Sequence, residues 1–150
     1  MHYLNAVFVF LFVTILTLSA CDDGGQRAQN VSTNPAVEAR ATTLLEAIQR
    51  GNDELIIKQY SEDFFTKRSP QQWLAKLKAL MAERGPMRSF ALKRSQADTR
   101  FSGKFYILEY NSVHDGAKRL HHTLTFLLPV DGGDIELNGH KIVPWEAKAE

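Results

Sequence analysis

The spacing of apolar residues changes character at Gly85-Pro86. Upstream they recur every three or four positions, the period of a helix with one buried face. Downstream they alternate, the period of a half-buried strand. Helices first and strands afterwards point to an α+β domain: three N-terminal helices packed on a curved four-stranded antiparallel sheet.

The helical half is punctuated by its own caps. Asn34 can accept from the backbone of a helix that starts at Pro35, and Gly51 suits its C-terminal end. Val37, Ala41, Leu44, Leu45 and Ile48 form one apolar stripe between them. Asn52 opens a shorter segment, DELIIKQY, from which Tyr60 and Phe65 are expected to plug the core. Ser69-Pro70-Gln71-Gln72 resembles a capping box, and Trp73, Leu74, Leu77, Leu80 and Met81 supply the buried stripe of a third helix. Gly85-Pro86 stops it.

In the second half, Phe90 and Leu92 mark one strand, Lys104–Val113 a second, Arg119–Leu128 a third and Ile135–Val143 a fourth. Asp115-Gly116 is a hairpin turn signal, residues 131–134 turn the chain again, and Asn138-Gly139 is expected to form a bulge.

The amino terminus carries an address. Val7–Leu18 is apolar but for two threonines, the length of a signal-peptide core and too short for a membrane-spanning helix, which needs about 20 residues. It ends in Leu18-Ser19-Ala20-Cys21, which resembles the lipobox of bacterial lipoproteins at every position. The residues before the apolar run, MHYLN, depart from a usual signal peptide in having no Lys or Arg. The resemblance implies cleavage before Cys21 and diacylglyceryl transfer to its thiol. Asp22 and Asp23 then resemble the signal that keeps such proteins at the inner membrane, with the domain in the periplasm. This divides the chain into a signal peptide over 1–20, a lipidated cysteine and polar tether over 21–34, and one folded domain over 35–150. Cys21 is the only cysteine, so disulfides and cysteine-based zinc sites are excluded.

Charge is close to balanced, with 18 Lys and Arg against 17 Asp and Glu. A nucleic-acid binder would show a basic excess. No phosphate-binding glycine loop, dinucleotide motif or nucleophile elbow is present, and no cofactor is expected.

The order of elements is similar to the cone-shaped α+β fold of nuclear transport factor two and ketosteroid isomerase. Two stretches carry the resemblance: Tyr60–Phe65 leading into the Ser69–Trp73 helix start, and the final hairpin Gly132–Pro144. Ile135 and His140 depart from the aromatic residues common at those positions. An isomerase-like site would need a carboxylate base and buried hydroxyl donors. Glu109, Tyr60 and Tyr106 are the available types, but alternation turns Tyr106 away from the face of Glu109, so the catalytic set is incomplete.

Turn geometry nominates one site. With Asp115 and Gly116 as the two central turn residues, Phe105 opposes Phe126, Ile107 opposes Leu124, and Glu109 opposes His122 on the face that apolarity makes the inner one. Phe105, Ile107, Leu124 and Phe126 would line a pocket. Glu109 and His122 could do acid–base work there, or form no more than a cross-strand ion pair. The other face would pair Tyr110 with His121 and Leu108 with Thr123, a surface suited to a partner. His121 and His122 are adjacent, so on a strand they point apart and cannot share a metal; none is expected.

These readings lead to a membrane-anchored accessory lipoprotein of the cell envelope, non-enzymatic and protein-binding. The alternative is a small-molecule binder or acid–base enzyme using the cone interior. Either is compatible with a homodimer formed through the sheet.

Overall fold

A computed structural model of the chain describes residues 34–145. The Leu18–Cys21 box, Asp22, Asp23 and the rest of the tether up to residue 33 lie outside the described residues, as do residues 146–150. None of the described helices is long and apolar enough to cross a membrane.

Helix α1 (Pro35–Arg50) begins where the Asn34 side chain accepts from the Ala36 N–H, and ends at Gly51, whose φ of 66° lets its N–H reach back to Ala47 and Ile48. All five residues of the expected stripe are buried, and Ala47 joins them. Asn52 caps the short α2 (Asp53–Lys58) through Leu55. One turn of 3₁₀ helix, Asp63–Phe65, then seals the corner. Tyr60 and Phe64 are buried here, whereas Phe65 is only half-buried against them. The capping box forms as expected: Ser69 accepts from Gln72, whose side chain accepts from the Ser69 N–H, at the start of α3 (Pro70–Arg84). Of its apolar stripe only Trp73 and Leu77 are fully buried.

Four strands follow, β1 (Met87–Arg100), β2 (Gly103–His114), β3 (Arg119–Pro129) and β4 (Glu136–Pro144), in an antiparallel sheet of order β1-β2-β3-β4. β1 is longer than the Phe90–Leu92 signal suggested. Its polar second half places only Ser95 and Ala97 against the interior and is an edge strand held by hydrogen bonds to β2, and Lys93 and Arg94 blunt the free edge. Register shifts between Leu92 and Arg94 and between Thr125 and Phe126 mark bulges, which bend the strands around the helices. The second places the extra residues at Asn138-Gly139, as expected.

The β2–β3 register differs from the expected one by a single residue. Asp115, Gly116 and Ala117 all stand in the loop, because Ala117 takes a left-handed conformation (φ 59°) and His114 pairs with Lys118 instead. The slip turns the side chains of β2 to the other face, while His122, Leu124 and Phe126 of β3 stay on the inner one as expected. The inner face therefore carries Tyr106, Leu108, Tyr110, Ser112 and His114 from β2, with Leu120, His122, Leu124 and Phe126 from β3. Leu108 stands opposite Leu124 and Tyr106 opposite Phe126. These side chains and the stripes of α1 and α3 make one core. Each fully buried leucine contributes about 1.5–3 kcal/mol.

Candidate functional site

The expected pairing of Glu109 with His122 is corrected by this register. Glu109 opposes Thr123 on the outer face, while His122 opposes Tyr110 on the inner one. The expected pocket divides in the same way. Leu124 and Phe126 are buried in the core, whereas Phe105 and Ile107 are half-buried on the outer surface, opposite Leu127 and Thr125.

Glu109 keeps an imidazole partner, but a different one. His121 Nε2 lies 3.8 Å from its carboxylate and Arg94 lies 4.0 Å away. His121 Nδ1 is held 2.8 Å from Asn111 Oδ1. Both members of the pair are about a quarter exposed. Such a part-exposed pair contributes little to stability. It sets an imidazole and a guanidinium beside the Glu109 carboxylate on the outer sheet face.

The inner face holds a continuous polar chain through the apolar core. Tyr60 Oη lies 2.7 Å from His140 Nδ1, and His140 Nε2 lies 3.1 Å from His122 Nδ1. His122 Nε2 lies 2.9 Å from Ser112 Oγ, which lies 2.9 Å from His114 Nε2. His114 Nδ1 ends the chain at the Gly85 carbonyl, 2.9 Å away. The Gly85 oxygen can only accept, and with each ring carrying one proton this sets the direction of every bond in turn, the Ser112 hydroxyl lying also 3.5 Å from the Leu120 carbonyl. His114 Nδ1–H donates to Gly85, Ser112 O–H to His114, His122 Nε2–H to Ser112, His140 Nε2–H to His122, and Tyr60 O–H to His140. In this arrangement every ring nitrogen is used once.

The sequence elements that build this chain are local. Ser112 and His114 alternate inward on β2, and His122 faces them from β3. His140 joins because of the bulge at Asn138-Gly139, which lets Leu137 and His140 face inward together although they are three residues apart. Tyr60 arrives through a parallel bridge to Leu137, where the Ser61 N–H donates to the Leu137 carbonyl at 3.2 Å.

Burial sets the electrostatics. Desolvation, with repulsion from His114 and His121, pushes the His122 pKa down to about 3. Desolvation, then His122 and Lys76, holds His140 well below the usual imidazole range. Desolvation raises the Tyr60 phenol, so it stays a donor. The Trp73 indole N–H makes no hydrogen bond of good geometry, yet it acts on the Tyr60 oxygen and opposes part of that rise. Tyr60 also stacks on Phe64, with ring centroids 4.4 Å apart, and meets Trp73 edge-on.

Chemically the chain is a saturated set of neutral donors and acceptors. It meets a concave surface at Tyr60, which lines a polar groove of about 500 Å³ together with Arg40, Lys58, Ser61, Glu62, Asp134 and Glu136. A second groove, of about 490 Å³ and mostly apolar, lies between the helices, lined by Ile48, Ile56, Leu74, Leu77, Met81 and Met87 among others. Neither reaches Glu109 or His122. Among the described residues no three His, Cys, Asp or Glu side chains converge to hold a metal.

No protein-family model matches the chain, and no curated protein does. Solved structures are similar to it in fold. One is a protein of the NTF2-like family from Streptomyces avermitilis, provisionally assigned as a dehydratase. It is 16% identical, with a TM-score of 0.50 over 75% of this chain and 96% of the other. A provisionally assigned ketosteroid isomerase from Shewanella frigidimarina is 14% identical, with a TM-score of 0.51 over 72% and 94%. Bd1075 of Bdellovibrio bacteriovorus gives 12% and 0.52, and the match spans 76% of this chain but only 41% of that longer one. At these identities the likeness concerns architecture alone: the chain has the NTF2-like α+β fold.

Proposed function

We propose that the protein is an envelope lipoprotein, anchored through Cys21 at the periplasmic side of the inner membrane, whose cone domain is a non-enzymatic protein-binding module. One observation carries the reading of the domain. The inner sheet face, the natural wall of a ligand chamber in a cone, is filled: His122 and Leu124 are 0% exposed and Phe126 1%. Ser112, His114, His122 and His140 of that face are bonded within the chain that runs from Tyr60 to Gly85, and none of these four is directed at a substrate. The outer face, with Arg94, Glu109 and His121, offers a partner the patterned charge that fixes register in protein contacts.

Two experiments test this. Cys21→Ser should block lipid attachment and leave the precursor uncut; normal maturation of the variant overturns the anchor. Crosslinking in intact cells should recover one reproducible envelope partner from the wild type and lose it with Glu109→Lys. A chain that crosslinks to nothing, or equally well with the outer face reversed, overturns the binding surface. Light scattering in the same variants tells a second copy of this chain from a foreign partner.

A small-molecule reading keeps one supporting observation, the groove of about 500 Å³ that Tyr60 lines, within the usual size range for ligand sites. It would place the ligand at the Tyr60 end and not between Glu109 and His122.

A further inference from the structure

The two ends of the domain differ in a way the fold does not require. At one end α1 finishes beside the start of β1, where Gln49 donates to the Arg88 carbonyl at 2.9 Å, and the Asp115–Ala117 loop lies nearby, with Asp115 paired to Arg88. Helix α1 therefore starts at the opposite end. Its first turns, Ala36, Ala39 and Arg40, share a groove with Gly133, Asp134 and Ile135 of the β3–β4 loop. The β1–β2 hairpin belongs to that end too, since the Val130 N–H reaches the Ser102 carbonyl at 3.4 Å.

The two most exposed large apolar side chains among the described residues stand on this end together: Phe101 at 103% and Val130 at 80% exposure. Arg100 pairs with Gly103, so Phe101 and Ser102 are the two central residues of a hairpin turn. Asn, Asp and Gly serve such turns, and a phenylalanine contributes no turn chemistry there. Single exposed apolar side chains are ordinary. Two on adjacent loops, at the end where the tether joins the domain, form a surface with a direction.

Local charge is balanced in number, Arg100 and Lys104 against Asp98 and Asp131. Arg100 bonds Asp98 at 2.8 Å and lies over the Phe105 ring, Lys104 lies over Tyr106, and Asp131 accepts from Gly133. The patch therefore offers apolar contact with no cationic excess. Residues 22–34 are polar and join Cys21 to α1. Thirteen extended residues span roughly 45 Å at most, so a lipid on Cys21 keeps this end of the domain within reach of the bilayer.

We propose that the Phe101 and Val130 loops form a membrane-contact tip, which enters the interfacial layer of the phospholipid bilayer that holds the anchor. The inference rests on the lipid-anchor reading. It is independent of any partner of the outer sheet face. The tip orients the domain with α1 running away from the bilayer and the Asp115–Ala117 loop farthest from it. Because its charges balance in sign, contact does not depend on anionic lipid.

The test uses the full lipidated chain, purified in detergent and reconstituted into phosphatidylcholine vesicles with or without brominated acyl chains. Two variants are compared with wild type, whose Trp73 and Trp145 set the background: Phe101→Trp at the tip and Lys118→Trp at the far end. The expected result is a blue-shifted emission from the tip tryptophan that brominated lipid quenches, with no added quenching for the far-end tryptophan. Added Val130→Ser should reduce the tip quenching without releasing the chain from the vesicles. Water-like, unquenched emission at the tip from vesicle-bound chain overturns the tip and leaves the anchor standing, as does equal quenching at both ends. A chain that carries no lipid and does not stay with vesicles overturns both.

Discussion

His122 Nδ1 and His140 Nε2 share one proton across 3.1 Å in the middle of the core. With His140 Nε2–H as the donor, the bond is lost once His122 Nδ1 takes a proton, which would put two donors face to face. The chain from Tyr60 to Gly85 inherits this condition, because each link presents one donor to one acceptor.

The protein should therefore lose stability in mild acid. The folded-state pKa values of His122 and His140 lie below the unfolded imidazole value of about 6.5. Below that pH the unfolded chain binds more protons than the folded one, so stability falls as pH falls. The His122 contribution is complete above about pH 6.5 and declines toward about pH 3, by up to about 1.4 kcal/mol per pH unit, and His140 acts in the same direction. Urea unfolding at pH 7.5 and pH 5 measures it. A midpoint that is flat across that interval, or higher at pH 5, contradicts neutral buried rings.

Ser112 should matter more than its size suggests. Ser112→Ala leaves the His114 acceptor and the His122 donor both without a partner in a dry core, at roughly 1–3 kcal/mol each. Tyr60→Phe strands only the His140 acceptor, so its loss should be about half as large. Equilibrium unfolding of the two variants should rank Ser112→Ala as the more damaging. Equal effects would mean that water replaces the serine hydroxyl.

Ala117 tests the register. Its left-handed backbone costs about 1 kcal/mol in a residue with a Cβ, so Ala117→Gly should stabilise by roughly that amount. Deleting Ala117 restores the two-residue turn that the sequence Asp115-Gly116 favours. That would drive Glu109 inward and the inner-face aromatics outward, and the protein should not fold. Circular dichroism and thermal melting separate the outcomes.

Glycine is needed at 103 for space as well as angle. A Cβ there would lie 2.3 Å from the Leu128 carbonyl oxygen, at a φ of 145°. Gly103→Ala should cost about 3 kcal/mol or more. At Gly51 a Cβ meets nothing within 4 Å, and only the helix-ending φ of 66° opposes it. Gly51→Ala should cost about 1 kcal/mol. Comparable melting temperatures for the two would remove the steric argument.

The helices were legible because their boundaries are written locally: Asn34, Gly51 and Ser69 with Gln72 each act within four residues of themselves. The bulge at Asn138-Gly139 was legible for the same reason. The second half of β1 was not, because residues 93–100 turn only the small Ser95 and Ala97 inward and are held by hydrogen bonds with β2. The site was misread through one loop residue. Ser112, His114 and His122 are spaced by even numbers along two alternating strands, which is visible in the sequence. Which parity faces inward depends on whether Ala117 belongs to the turn or the strand, and an alanine gives no turn signal. The approach of His140 and Tyr60 was hidden further, since it needs a bulge and a bridge between segments nearly eighty residues apart.

The bulge at Gly139 also governs what kind of charge the interior can hold. Counted in strict alternation from Leu137, the next inward residues of β4 would be Gly139 and Lys141, with His140 turned to solvent. The extra residue instead leaves Lys141 exposed opposite Thr123 and sends His140 in opposite Leu124. A buried ammonium would be forced to surrender its proton or unfold the sheet, whereas an imidazole can enter uncharged and still donate. A single unpaired backbone step thereby sorts two neighbouring bases by their affinity for protons.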